Sequence, residues 1–143
     1  MKKWFFLCLM SASLTCFAHT SRVIDHQDLP SFQNNGNTLK GISTANMGVT
    51  THEVWKSSIA PGSCTPKHQH EVEEVTIFFK GKGKAVIGNE EVYFEAPCTL
   101  ILPPFIEHQI FNTGDEPTDH VAIMKIDSKI VNAEGNEMHL PWR

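Results

Sequence analysis

Between Met47 and Ile126 the chain alternates short β-favouring runs with turn signals. The runs are Val49 to Trp55, Thr65 to His70, Val75 to Phe79, Ala85 to Ile87, Glu91 to Phe94, Thr99 to Leu102, His108 to Phe111 and His120 to Ile126. Between them lie Pro61-Gly62, Gly81-Lys82-Gly83, Gly88-Asn89, Ala96-Pro97, Pro103-Pro104 and Asn112-Thr113-Gly114-Asp115. Val, Ile, Thr and aromatic residues suit a pleated surface, and Gly, Pro and Asn interrupt it. No window sustains the spacing of an amphipathic helix. Many short strands at near-regular intervals predict an all-β sandwich or barrel with ligand space inside. Gly88-Asn89 suits a tight hairpin, and Pro103-Pro104 must end a strand because neither can donate to a ladder. Phe78, Phe79, Phe94 and Phe111 are expected mostly in the core, with some lining a pocket.

The flanks read differently. Residues 1 to 18 carry Lys2 and Lys3, an apolar stretch from Trp4 to Met10, and Cys16-Phe17-Ala18 as a small-x-small cleavage site, so they are expected to be a signal peptide. The apolar run is too short for a membrane span, and a soluble product, periplasmic or secreted, is expected. Residues 19 to 46 form a polar, turn-rich arm that could add an edge strand or pair with a second copy; 47 to 126 form one barrel domain; 127 to 143 form a tail, with Pro141-Trp142 placed to pack back. Without the first 18 residues Lys plus Arg falls from 12 to 10 against 16 Asp plus Glu, a formal charge of −6. That balance argues against a nucleic-acid or anionic-membrane partner. Cys64 and Cys98 remain. Either they pair, which would contribute about 3.5 to 4 kcal/mol by chain entropy, or they stay buried as small apolar residues.

Against this background one short span carries metal-ligand chemistry. His68 and His70 lie two apart, so on a strand both imidazoles point to one face, and Glu74 lies far enough on to return after a turn. His108, after Pro103-Pro104, is placed to come back opposite them. Glu73 competes with Glu74 for the carboxylate role through a strand bulge, but its spacing to Gly81 is less favourable. His52 and His120 fall in predicted strands, where either could face the cavity as an acid-base group or be an ordinary half-buried histidine. His26 and His139 read as surface residues. His19, if cleavage exposes it, would offer an amine and an imidazole to copper, though nothing around it suggests a rigid site.

These residues resemble the cupin superfamily of small jelly-roll barrels. Its first motif, G-x5-H-x-H-x3-E-x6-G, is met at every position by Gly62, His68, His70, Glu74 and Gly81. Its second motif, G-x5-P-x-G-x2-H-x3-N, is met by Pro103, His108 and Asn112, whereas Pro97 and Phe105 stand where the family has glycine. Those departures concern turns, not ligands, and Phe105 could narrow the barrel mouth. The resemblance covers roughly residues 50 to 126 and implies a six- to eight-stranded barrel holding one metal ion on His68, His70, Glu74 and His108. Three imidazoles and a carboxylate suit a divalent transition ion, Fe, Mn, Ni, Cu, Zn or Co, over Mg or Ca.

Three functions then compete. A metal-dependent dioxygenase or related oxidoreductase would act on a small oxygenated or phenolic compound, with Glu74 taking the substrate proton. A non-redox isomerase or lyase would use the ion as a Lewis acid and needs a further base, for which His52, His120 and Tyr93 are the candidates. A small-molecule-binding cupin would not turn over at all.

Overall fold

The computed structural model describes residues 22–143. The expected signal peptide, its cleavage point and His19 lie outside the described residues. Among the described residues twelve strands follow in order. They are β1 (Phe32–Asn34), β2 (Asn37–Ser43), β3 (His52–Ile59), β4 (His68–His70), β5 (Glu74–Lys80), β6 (Lys82–Ile87), β7 (Glu90–Glu95), β8 (Cys98–Leu102), β9 (His108–Asn112), β10 (Thr118–Lys125), β11 (Ile130–Asn132) and β12 (Glu137–Met138). They form two six-stranded antiparallel sheets, ordered β1-β2-β3-β10-β5-β8 and β12-β11-β4-β9-β6-β7, packed as a jelly roll.

Period-two burial follows from the pleat, which sends alternate side chains to opposite faces. On β3, Glu53, Trp55, Ser57 and Ile59 point inward; on β10, Thr118, His120, Ala122 and Met124 do the same. One end of the interior is apolar, built from Ile59, Phe78, Ala85, Leu100, Leu102 and Ile110. A second cluster holds Trp55, Ala122, Met124 and Ile130. Phe79 departs from the expected core placement and is 63% exposed. Neighbours on a strand cannot share a face, and Phe78 takes the inner one.

Asn112 ties the sheets together. Its Nδ2 donates to the Ile59 and Glu116 carbonyls, each at 2.8 Å, and its Oδ1 accepts from the Gly114 amide. Gly62 and Gly81 both adopt positive φ, at 73° and 83°, which an L-residue takes only at a cost. Phe105 takes φ of 60° where the family pattern has glycine, so the loop keeps its left-handed bend despite the substitution. Its ring is exposed and its amide donates to the His70 carbonyl at 2.8 Å.

Both flanks join the sheets. β1 and β2 extend the first sheet beside β3, and β11 and β12 extend the second beside β4. The last two residues are fastened by a buried charge. Glu53, 1% exposed, accepts from Trp142 Nε1 at 3.2 Å and pairs with the Arg143 guanidinium, which also donates to the Ser128 carbonyl. The Trp142 ring packs against Trp55, with centroids 5.9 Å apart. A carboxylate taken from water needs such a partner, and here it holds Met138 to Pro141 across one end of the interior.

Cys64 and Cys98 are free, so the pairing considered from sequence does not form. Cys64 bridges to Phe111 in the second sheet, whereas Cys98 begins β8 opposite Phe78 in the first.

Candidate metal centre

His68 and His70 leave β4 on one face, and His108, the first residue of β9, is the ladder partner of His68. One ring nitrogen from each of the three lies within 4.8 Å of the others. The rings are inclined to one another by about 60°, yet each is anchored through the same nitrogen. Nδ1 of His68 meets the Pro66 carbonyl at 2.8 Å, Nδ1 of His70 the Val72 carbonyl at 2.5 Å, and Nδ1 of His108 the Ile106 carbonyl at 2.9 Å. A carbonyl can only accept, so each Nδ1 carries the proton and each Nε2 keeps its lone pair.

That arrangement fits a metal. Nε2 of His70 and of His108 is buried with no hydrogen-bond partner, an omission costing about 1–3 kcal/mol per group unless something else satisfies it. Three lone pairs converging inward from rings fixed through their other nitrogen are what a transition ion requires. Burial also lowers the proton affinity of His68 and pushes His108 down to about 4, with the neighbouring His68 adding to the effect at His108. Burial thus disfavours the charged form of His68 and of His108.

Glu74 reaches the cluster from the opposite sheet, at the start of β5. Its Oε2 stands 3.4 Å from His70 Nε2, too long for a well-formed hydrogen bond, and its Oε1 accepts from the Thr76 hydroxyl at 2.8 Å. Burial alone would push this carboxyl up, but the His70 contact, the charges that His70 and His68 carry when protonated, and the Thr76 hydroxyl together hold it below the usual range. Glu74 thus borders the three-histidine group. Glu73 and Glu71 are exposed, whereas Glu74 is buried beside the histidines.

A cavity of about 170 Å³ opens beside these residues. His68, Glu74 and His108 line one part of it, and Leu39, Trp55, Leu102, Ile110, Ile130 and Met138 give it an apolar body. Ser57 and His120 line it too, from β3 and β10. The two strand histidines that looked alike in sequence separate here. His120 is 5% exposed, with its Nδ1 unpartnered and its ring 4.9 Å from that of Phe78. Burial pushes its pKa down to about 4. His52 is exposed and meets only the Thr51 hydroxyl. Tyr93, 70% exposed on β7, is also removed as a pocket base. His139 sits at the cavity mouth. Asn37 escaped the sequence reading; it lies in what looked like a polar arm, and only its pairing with Ile59 turns it inward.

Fold and site together define a jelly-roll barrel with a metal-capable cluster of three histidines inside. The cupin domain pattern matches residues 55–124, and the chain belongs to the cupin superfamily. Among its relatives, auxin-binding protein T85 of Nicotiana tabacum is 32% identical over 87 residues, 54% of this chain and 46% of that protein. Auxin-binding protein 1 of Arabidopsis thaliana is 33% identical over 86 residues, 54% of this chain and 43% of that one. The chain thus spans a little under half the length of these relatives. Among solved structures, the polyketide cyclase RemF of Streptomyces resistomycificus superposes with a TM-score of 0.66 at 15% identity, covering 80% of this chain and 86% of that one. Oxalate decarboxylase of Bacillus subtilis, a protein with Mn(II) centres, gives 0.69 at 20% identity, covering 76% of this chain and 31% of that one. At these identities the structural likeness speaks for the fold alone.

Proposed function

We propose that this cupin is a metal-dependent dioxygenase or related oxidoreductase acting on a small oxygenated or phenolic compound. The observation that carries this reading is the pair of buried, unpartnered Nε2 atoms on His70 and His108, aimed with His68 at one point beside an apolar cavity. His68, His70 and His108, with Glu74 as the bordering carboxylate, would hold the ion. When bound, a divalent transition ion would supply redox chemistry and lower the pKa of a hydroxyl group presented to it.

The chain's own residues do the rest. Glu74, held ionised with its Oε1 fixed by Thr76, is placed to take a proton from such a hydroxyl at Oε2. Leu39, Trp55, Leu102 and Ile110 exclude water and surround the apolar part of the ligand. Met138 to Pro141, held in place by the Glu53–Arg143 pair, close one end. The signal-like residues 1 to 18 support export.

A second reading, small-molecule binding without turnover, is favoured by the relatives whose names record auxin binding and by the apolar body of the cavity. Oxygen uptake separates the two. Protein loaded with iron, copper, nickel or manganese is expected to consume oxygen in stoichiometry with a catechol or flavonol. No uptake with any of these metals, together with a ligand-dependent rise in melting temperature, would leave the binding reading.

A further inference from the structure

The cavity has polar groups on its other wall that the metal reading does not use. On the first sheet His120 and Ser57 are ladder partners, both buried and both lining the cavity. His120 Nδ1 has no hydrogen-bond partner. Two residues before Leu39, the neighbour of Ser57 on β2, lies Asn37, which also lines the cavity. The orientation of its amide is fixed by backbone carbonyls. Nδ2 donates to the Asn34 carbonyl at 3.0 Å and the Cys64 carbonyl at 2.8 Å, which leaves Oδ1 buried, 2% of the residue exposed, and unpartnered.

This wall stands apart from the metal cluster. His120 is paired with Phe78, and Glu74 lies four residues earlier on that strand, so the two backbones are separated by roughly 13 Å at the usual rise per residue. The side chains reach inward from both ends, and the space between them is apolar. Its volume, about 170 Å³, is close to the roughly 150 Å³ that accommodates a benzene ring in a protein interior. Among the described residues no Lys or Arg lines it. A second negative charge on the ligand would find no partner at this end.

We propose that Asn37, Ser57 and His120 form a second polar subsite, which selects an uncharged single-ring compound bearing one oxygen for the metal and a second hydroxyl or similar group on the far side of the ring. The subsite rests on the metal reading of the same cavity and adds the ligand's second anchor. A hydroxyl here donates to a ring nitrogen of His120 or to Asn37 Oδ1 and accepts from Ser57, so the buried polar atoms lose their unpaired state when the ligand arrives. A ligand with a single polar end leaves them unpaired and is rejected in proportion.

Zinc-loaded protein, redox-silent, allows binding to be measured by calorimetry without turnover. Phenol, para-hydroxybenzyl alcohol and para-hydroxybenzoate serve as probes. The alcohol is expected to bind about tenfold more tightly than phenol, and the benzoate more weakly than the alcohol. His120→Leu should erase the alcohol's advantage while leaving phenol affinity in place, and His120→Gln, which keeps a donor and an acceptor, should restore part of it. Equal affinities in the unaltered protein, a preference that survives both His120→Leu and Ser57→Ala, tighter binding of the benzoate, or no binding of any probe would overturn the subsite. Zinc content distinguishes the two failures. Stoichiometric zinc alongside any of those results removes the subsite and leaves the metal reading, whereas protein that takes up no zinc removes both.

Discussion

The three histidines on the second sheet and the single buried histidine on the first differ by one bond. His68, His70 and His108 each give Nδ1 to a carbonyl two residues away in the chain, at Pro66, Val72 and Ile106. His120 has no such anchor for its Nδ1. A ring tied through one nitrogen has a fixed tautomer and a fixed direction, which a metal needs. A ring without that tie keeps the choice of donor or acceptor, which suits an organic ligand. The same side chain thus has two settings within one cavity, and local backbone geometry, not residue type, makes the difference.

The comparison can be broken first at the metal. His70→Ala or His108→Ala should reduce metal affinity by more than about 100-fold, beyond the loss typical of outer partners, as read by elemental analysis after equilibration with zinc. His120→Leu should leave the zinc content unchanged. If both variants lost the metal equally, the distinction between the walls would disappear.

Acid titration of the metal-free protein tests His120 in a second way. Its pKa is pushed from 6.5 down to about 4 by burial, so between those values the unfolded chain takes up a proton that the folded one refuses. The stability this neutral ring carries is fully present above about 6.5 and is lost as pH falls toward 4, by up to about 1.4 kcal/mol per pH unit. His120→Leu should flatten the urea-denaturation profile in that window. It should also raise stability near pH 7, because the unpaired nitrogen is removed. An unchanged pH slope would mean that the ring is already satisfied or solvated.

Thr76→Val probes the carboxylate beside the cluster. Losing the hydroxyl that holds Glu74 Oε1 should weaken zinc binding by about three- to tenfold, equivalent to one ordinary hydrogen bond, in a competition titration. The smallest effect is expected at the exposed strand histidine. His52→Ala should change stability by less than about 0.5 kcal/mol and leave metal content alone, so any larger effect would show that exposure fails to separate the two strand histidines.

Much of the second sheet's chemistry was legible in the chain. Alternation along Val75 to Phe79 and the turn residues around each run marked the strands, and the parity of His68 and His70 placed their rings on one face. Glu74 was preferred over Glu73 from its spacing, and burial agrees. The other wall was not legible. His52 and His120 each sit in a β-favouring run, and nothing local says which faces the cavity; strand pairing decides, because His120 is inward on β10 while His52 starts β3 on its outer face. Asn37 and the last residues looked like arm and tail because their order comes from partners far away in the chain, Ile59 for the one and Glu53 for the other.

Residue order alone therefore determined the strand rhythm, the turns and the shared face of His68 and His70, since these depend on steps of two residues and on φ values that Gly and Pro impose. Tertiary structure decided which buried polar atoms go without a partner, that Cys64 and Cys98 stay apart, and what closes the cavity. Those outcomes depend on register between strands that are distant in sequence, and a shift of one residue would send each of these side chains to the opposite face.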